Sequence, residues 1–332
     1  MAVKKVGKKA AASKASAKVK PESNVPEVKE LTGSKNKKGV FAAILVAFVL
    51  FTVVEIFYVA RQNAIQNKKP EFVLAWPHSP YNGIAMIRVF GNLLYGTDDV
   101  RYQVFQFDKT TGKMQHMFDL PDGALGTVQK TNGDILILNK GNVISVFSKD
   151  YKLIKKVVLT DTRSARRIEI DSKDNIYVGD EVGMKVVKYS PDFVKMMEIG
   201  ASGNNKLTAL GKIFVSPKDN LYCMNMKQQG KAAINEYNEK GDLIRSWTIP
   251  KVKQITNLCN IGVATDDYIY MNSFEESKVF VFTPAGKFAG TFDTDGARKF
   301  VVTYPSSLTS DNQGAIYVLS HELAMFNKID IK

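Results

Sequence analysis

From residue 71 onward, apolar and polar positions repeat as a unit: a polar turn, a run of four or so apolar or aromatic residues, and a polar stop. The unit reads Asp174-Asn175-Ile176-Tyr177-Val178-Gly179-Asp180 in its clearest copy. It recurs at Gly91 to Thr97, Gly133 to Asn139, Asp219 to Asn225, Asp267 to Ser273 and Gly314 to Ser320. With the first apolar residue of each copy as anchor, the copies fall at 93, 135, 176, 221, 269 and 316. The intervals of 42, 41, 45, 48 and 47 residues are those of a repeat architecture, not of a single layered core. The runs are strand-length, bounded by Gly, Asn, Asp and Pro, and no helix-period stretch interrupts them.

A second landmark keeps step with the first. Each unit continues to another apolar strand ending at Phe107, Phe147, Tyr189, Tyr237, Phe282 or Ile329, followed by a polar turn and a third strand. Counting the strand that precedes each first turn, every unit holds four. Six four-stranded units predict an all-β, six-bladed β-propeller, in which each sheet packs on the next and the ring leaves only short edges. The last unit runs out at Lys332 one outer strand short, and Glu71 to Trp76 has the character of the missing strand. The expectation is an N-terminal strand that closes the last blade.

Upstream of the propeller the pattern changes twice. Gly39 to Ala60 is apolar except for Thr52 and Glu55, and as a helix its 22 residues would extend about 33 Å, enough to cross a bilayer. Tyr58-Val59-Ala60 places a tyrosine where a cleaved signal peptide needs a small residue, so the segment is expected to stay attached as one transmembrane α-helix. Glu55 sits near its outer end, within reach of headgroups. Gly39, Ala43 and Ala47 form a small-residue face that could pair with another helix. The expected organisation is a disordered Lys/Ala-rich tail over 1–38, a transmembrane helix over 39–60, a linker over 61–70 and the propeller over 71–332.

Charge gives this organisation a direction. The net charge is +13, and residues 1–60 hold 11 Lys and 4 Glu, so more than half of the excess precedes or lies in the apolar segment. By the positive-inside rule the N-terminus is cytoplasmic and the propeller extracytoplasmic, in a single-pass inner-membrane protein. The two cysteines, Cys223 and Cys259, are too few for a disulfide framework; they read as buried free thiols, with one bridge as the alternative.

The repeat resembles the NHL family of six-bladed propellers on Ile176-Tyr177-Val178-Gly179-Asp180 followed by Val186-Val187-Lys188-Tyr189. It departs from that family in lacking an Asn-His-Leu tripeptide, and Lys185, Lys278 or Arg101 stands where an Asn-x-Arg often follows the Asp. The resemblance implies architecture more than activity. Some NHL propellers bind RNA through a basic face, which an extracytoplasmic position argues against.

In a propeller the loops entering each inner strand and those joining the second and third strands share one face, and the candidate ligand-binding residues lie there. They are Asp98, Asp99, Arg101, Asp180, Glu181, Arg163, Arg166, Arg167 and Asn225. The repeated stop column of Thr97, Asn139, Asp180, Asn225, Ser273 and Ser320 has a simpler reading, because Asp, Asn, Ser and Thr side chains hold nearby backbone in turns. Arg163, Arg166 and Arg167, with Lys251 and Lys253, make a basic arc suited to an anionic partner. His78, His321 and Glu322 would meet at the closing blade and offer a divalent metal two nitrogens and an oxygen; otherwise no cofactor is expected. No nucleophile elbow, phosphate-cradling Gly loop or Cys-x-x-Cys is present. The sequence therefore points to a membrane-anchored binding or scaffolding module with protein partners in an envelope complex, and secondarily to a metal-dependent hydrolase or lyase acting at the channel mouth.

Overall fold

The computed structural model describes residues 46, 48–53, 70–77, 83–203, 206–226, 232–249, 260–274, 276–293, 304–320 and 325–331. The chain divides into two units, Met1–Val59 and Ala60–Lys332. In the first, residues 46 and 48–53 are helical. Thr52 turns its hydroxyl back onto the carbonyls of Phe48 and Val49 at 3.0 and 2.9 Å, which hides a polar group on a helix whose Phe48, Leu50 and Phe51 are more than 60% exposed. No helix among the described residues is long and apolar enough to cross a membrane, and Gly39, Ala43, Ala47 and Glu55 lie outside them.

The second unit is all β. Twenty-four strands among the described residues form six four-stranded antiparallel sheets, five of them built from consecutive strands. The blades begin at the inner strands Met86–Phe90, Gly126–Gln129, Ala165–Ile170, Leu210–Val215, Ile261–Val263 and Pro305–Ser310. The sixth is completed from the other end of the sequence: Pro70–Pro77 pairs along Met325–Ile331, with Pro70 opposite Ile331 and Trp76 opposite Phe326. Closure by an N-terminal strand thus occurs as expected, beginning one residue earlier than Glu71. It ties the two ends of the domain together, so the ring opens only if a full strand pairing is lost.

Pairing between second and third strands fixes the repeat register. Ile135, Ile176, Leu221, Ile269 and Ile316 lie opposite Phe147, Tyr189, Tyr237, Phe282 and Ile329, and in the first blade the residue opposite Phe107 is Leu94. The first unit is therefore anchored at 94, not 93, and its polar stop is Asp98 rather than Thr97. A one-residue slip would send every side chain of a strand to the wrong face. With it corrected, Tyr95 joins Tyr177, Tyr222, Tyr270 and Tyr317 in a buried column one residue past the anchor. Their rings fill the space between sheets while the hydroxyls find partners: Tyr177 donates to Asp171, Tyr317 to Asp311 and Tyr222 to Glu236, and Tyr95 accepts from Gln106.

The turns from inner to second strand explain why Asp and Gly recur there. In five blades the fourth turn residue has positive φ: Gly133 at 91°, Asp174 at 63°, Asp219 at 62°, Asp267 at 65° and Gly314 at 93°. A non-glycine residue there costs about 1–2 kcal/mol unless its side chain contributes something in return. Each Asp does, by reaching the preceding blade. Asp174 accepts from the Thr131 amide and hydroxyl at 2.8 and 2.6 Å, Asp219 likewise from Ser172 at 2.8 and 2.6 Å, and Asp267 pairs with Lys218, where Pro217 has no amide to offer. The turns form a ladder around the lower face.

Candidate functional site

Two cavities among the described residues lie along the inner strands, and one strand contributes to both. Arg166 and Arg167 of Ala165–Ile170 line an upper cavity of about 250 Å³, whereas Glu169 and Ile170, one turn of the pleat further on, line a lower one of about 520 Å³. Ile168 between them is buried.

In the lower cavity the ionised groups are held by the fold. Glu169 receives both the Nε and Nη2 of Arg88, from two blades away, and both side chains are 5% exposed. Burial pushes the Glu169 carboxyl up, while Arg88 and the Val215 amide pull it back. Asp171 accepts from the amides of Lys173 and Asn175, the Asn175 side chain and Tyr177, with Lys188 Nζ at 3.4 Å. Asp311, its counterpart in the sixth blade, accepts from the amides of Gln313 and Ala315, from Tyr317 and from Lys109. These carboxylates are structural.

At the upper end the candidate residues separate into two groups. The first group serves the loops. Asp98 is fully buried and accepts from the amides of Val100 and Arg101 and from the Arg101 guanidinium at 3.0, 2.7 and 3.1 Å. Asp180 accepts from the amides of Arg163, Ser164 and Gly183 at 2.9, 2.9 and 3.0 Å. Asn225 holds the Thr208 amide and hydroxyl in the same way. The loops are cut to fit: a Cβ on Gly183 would lie 2.1 Å from the Asp180 carboxylate, and one on Gly83 2.0 Å from that of Asp98. Asn139 holds the Gly123 carbonyl, and Asn272 takes over in the fifth blade, accepting the Asn260 amide and donating to the Pro305 carbonyl. Asp98 and Asp180 therefore spend their carboxylates, and Asn225 its side-chain oxygen, on the loops beside them.

The second group faces the cavity. Asp99, Arg166, Arg167 and Glu181 line it together, joined by Lys212, by Thr97, whose hydroxyl meets that of Thr127 at 3.3 Å, and by an apolar wall of Ala85, Met86 and Leu125. Arg166 Nε lies 3.6 Å from Glu181 Oε2, with both side chains almost half exposed, an ion pair of little energetic weight. Arg167 donates one Nη1 bond to the Arg166 carbonyl at 2.8 Å, but its buried Nε has no hydrogen-bond partner. Burial lowers its pKa and nearby Glu181 opposes that; guanidinium remains charged regardless. Arg163 and Arg101 are exposed and do not line this cavity.

Lys212 was not among the residues singled out from sequence, yet a signal for it exists. Pairing of inner with second strands makes Ile168 and Ile213 equivalent, so Arg167 and Lys212 occupy the same repeat position in adjacent blades. Both stand nine residues before their blade's anchor, Ile176 or Leu221. The other blades carry Met86, Gly126, Asn260 and Ser307 at this ring. Cation chemistry is confined to the third and fourth.

His78, His321 and Glu322 lie outside the described residues, as do Lys251 and Lys253, and among the described residues no group of three or more His, Cys, Asp or Glu could hold a metal. His116 lies on an outer strand, stacked on Tyr151 with ring centroids 3.8 Å apart, and burial lowers its pKa. Cys223 is a buried free thiol, and Cys259 lies outside the described residues.

No family model and no curated protein sequence matches this chain. Solved structures do. A virginiamycin B lyase from Staphylococcus aureus is 14% identical with a TM-score of 0.55, over 80% of this chain and 100% of the lyase. A streptogramin B lyase is 15% identical at 0.54, over 78% and 97%. An auxiliary nutrient binding protein from Bacteroides ovatus is 16% identical at 0.57, over 80% and 74%. At such identities the likeness is one of fold: a six-bladed propeller found in proteins named for catalysis and for binding alike.

Proposed function

We propose that this chain is a membrane-anchored, extracytoplasmic propeller of NHL-like type that serves as a binding module, taking a ligand or a protein partner of an envelope complex at the upper mouth of its channel. The observation that carries this reading is the division of labour at that mouth. Asp98, Asp180 and Asn225 shape the loops, which leaves Asp99, Arg166, Arg167 and Glu181 around a cavity with a buried Arg167 Nε that no protein atom satisfies. A buried donor left in this state costs free energy that a bound acceptor would recover. The solvent-facing Phe48, Leu50 and Phe51 support the anchor, because side chains of that size on one short helical stretch need an apolar surrounding. The Gly39, Ala43 and Ala47 face is where a partner helix would pack. The fold shared with a nutrient binding protein is compatible with this reading.

The test is site-specific photo-cross-linking in cells. A photoreactive residue at Val182, exposed between the second and third strands of the third blade, samples the upper face; one at Val194, exposed in the turn after the third strand, samples the lower. A discrete adduct from position 182 that disappears with Arg166→Glu and Arg167→Glu, and none from 194, is expected. Adducts from 194 alone would overturn the assignment of the face. The fold's occurrence in two proteins named lyases favours a second reading, a metal-dependent lyase or hydrolase using His78, His321 and Glu322. Metal analysis of the wild type beside His321→Ala decides it, since stoichiometric metal lost in the variant is required. The envelope-complex reading needs the propeller outside the cytoplasm, and activity of a cytoplasm-only reporter fused after Lys332 would reverse the topology and reopen RNA as a ligand.

A further inference from the structure

We infer that the lower outer rim of the second and third blades lies on an anionic lipid surface, with exposed apolar side chains in the bilayer interface and three lysines among the headgroups. This rests on the anchored reading above and adds a membrane contact made by the propeller itself. The outer strand Leu153–Val158 of the second blade is a sheet edge, unpaired among the described residues, on which five of six residues are exposed. The corresponding strands of the first and third blades each bury a residue, Phe118 and Ile199, and that of the fourth alternates between exposed and half-buried positions. Leu153 and Ile154, 51% and 54% exposed, stand at the lower end of their strand, since Leu153 pairs with Phe147 and Phe147 with Ile135, the first residue after the lower turn. Lys155 reaches from them over the ring of Phe193, 5.0 Å from its centroid, and so joins them to the lower turn of the third blade, where Val194 is 64% and Met196 50% exposed. Four large apolar side chains open to solvent along one stretch of rim mark an interaction surface.

Charge selects what covers it. Lys149, Lys152 and Lys155 are exposed in and beside the same turns and make no ion pair among the described residues, whereas Lys156 is taken by Asp122 and Lys195 by Asp161 and Glu198. The exposed acids of these turns, Asp150 and Asp192, are fewer. A second copy of the chain fits poorly, because edge-to-edge pairing would set Lys155 and Lys156 of one copy against those of the other. Lysines are point charges on flexible stems, without the forked geometry that fixes a protein carboxylate, and they suit a fluid array of lipid phosphates beside which apolar side chains bury. The chain itself leads to this end of the ring. Ile329 lies opposite Ile316, the first residue after the lower turn of the sixth blade, so Pro70, opposite Ile331, starts the closing strand at the lower end, and the connection from the anchor arrives there.

The test uses the full chain with an environment-sensitive fluorescent residue at Val194, and at Val182 on the upper face as control. Each is moved from detergent into vesicles of phosphatidylcholine alone or of phosphatidylcholine and phosphatidylglycerol in equal parts. Emission from 194 should shift to the blue on the mixed vesicles, the shift should shrink on neutral vesicles and in high salt, and emission from 182 should not move. Lys149→Gln, Lys152→Gln and Lys155→Gln together, or Leu153→Ser with Ile154→Ser, should remove most of the shift at unchanged melting temperature, because all five side chains are exposed. The lipid and salt comparisons need neither of these variants, so they stand even if one disturbs folding. Equal shifts on neutral and anionic vesicles, equal shifts at 182 and 194, or no shift at either would each overturn the inference. A protein adduct from 194 in cells would assign the rim to a protein partner, and emission at 194 that depends on protein concentration in detergent would assign it to a second copy; both overturn the lipid. The anchored reading fails separately. A chain that does not float with neutral vesicles lacks the anchor, whatever position 194 reports on the anionic ones, while a chain that floats with both and shows no shift keeps the anchor and loses only this contact.

Discussion

At the lower end of the channel, Asp171 and Asp311 each satisfy two amides, a tyrosine hydroxyl and a lysine, and Glu169 is clasped by Arg88. At the upper end, in a cavity half the size, Arg166 and the exposed Glu181 meet in a 3.6 Å ion pair and Arg167 keeps an unmatched Nε. The same inner strand, Ala165–Ile170, contributes to both. The difference teaches that the number of charged groups in a cavity says little about ligand binding; what matters is how many of their hydrogen-bonding positions the fold has already used. The larger cavity is part of the framework, and the smaller one has chemistry to spare.

The contrast predicts opposite responses to substitution, and the largest lies in the lower cavity. Glu169→Ala would leave the Arg88 guanidinium buried and unpaired, a change expected to cost about 3–5 kcal/mol. In a domain of this size that lowers the melting temperature by roughly 10 °C. The double substitution Arg88→Met with Glu169→Leu removes both charges and should restore most of the loss. Thermal unfolding of the three variants measures this, and a single substitution costing under about 1 kcal/mol would mean the pair is solvated after all.

Next in size is the turn ladder. Asp219→Ala loses the two bonds from Ser172 and also forces alanine to a φ of 62°, whereas Asp219→Gly loses only the bonds. The expected costs are about 2–4 kcal/mol for alanine and about 1–2 kcal/mol for glycine, read from urea midpoints. Equal costs would show that backbone conformation contributes nothing at this turn. Because Asp219 lines the lower cavity without facing an unmet partner, neither change should alter ligand binding at the upper mouth.

Much of this was legible in the sequence because a repeat states its own frame. Six copies of one strand and a second landmark in step with it gave the blade count, and the missing last strand gave ring closure through Pro70–Pro77. The first blade was misread by one residue because its turn, Gly91-Asn92, is shorter than the five-residue connections elsewhere, and Leu93 and Leu94 serve equally well as the start of an apolar run. The site was half legible. Asp99, Arg166, Arg167 and Glu181 were picked out by position, but Asp98 and Asp180 could not be told apart from them, since an acid that holds backbone and an acid that faces a cavity are spelled alike. Lys212 was hidden in an inner strand where only the register, nine residues before Leu221, marks it as the counterpart of Arg167. The Arg88–Glu169 pair, 81 residues apart, had no local signal at all.

The smallest expected effect is the most direct test of the upper end. Glu181→Gln removes the partner of Arg166 from a pair whose side chains are 45% and 44% exposed, so its contribution to folding should lie within about 0.5 kcal/mol of zero. The same change removes one carboxylate from the cavity lining and relieves Arg167 of the acid that most stabilises its charge against burial. The yield of the adduct captured from Val182 should therefore change while the urea midpoint stays where it was, the reverse of Glu169→Ala, which should shift the midpoint and leave the adduct intact in the protein that remains folded. A Glu181→Gln variant that unfolds early would place this acid with Asp98 and Asp180 among the groups that hold the loops, and the division between the two ends of the channel would lose its sharpest edge.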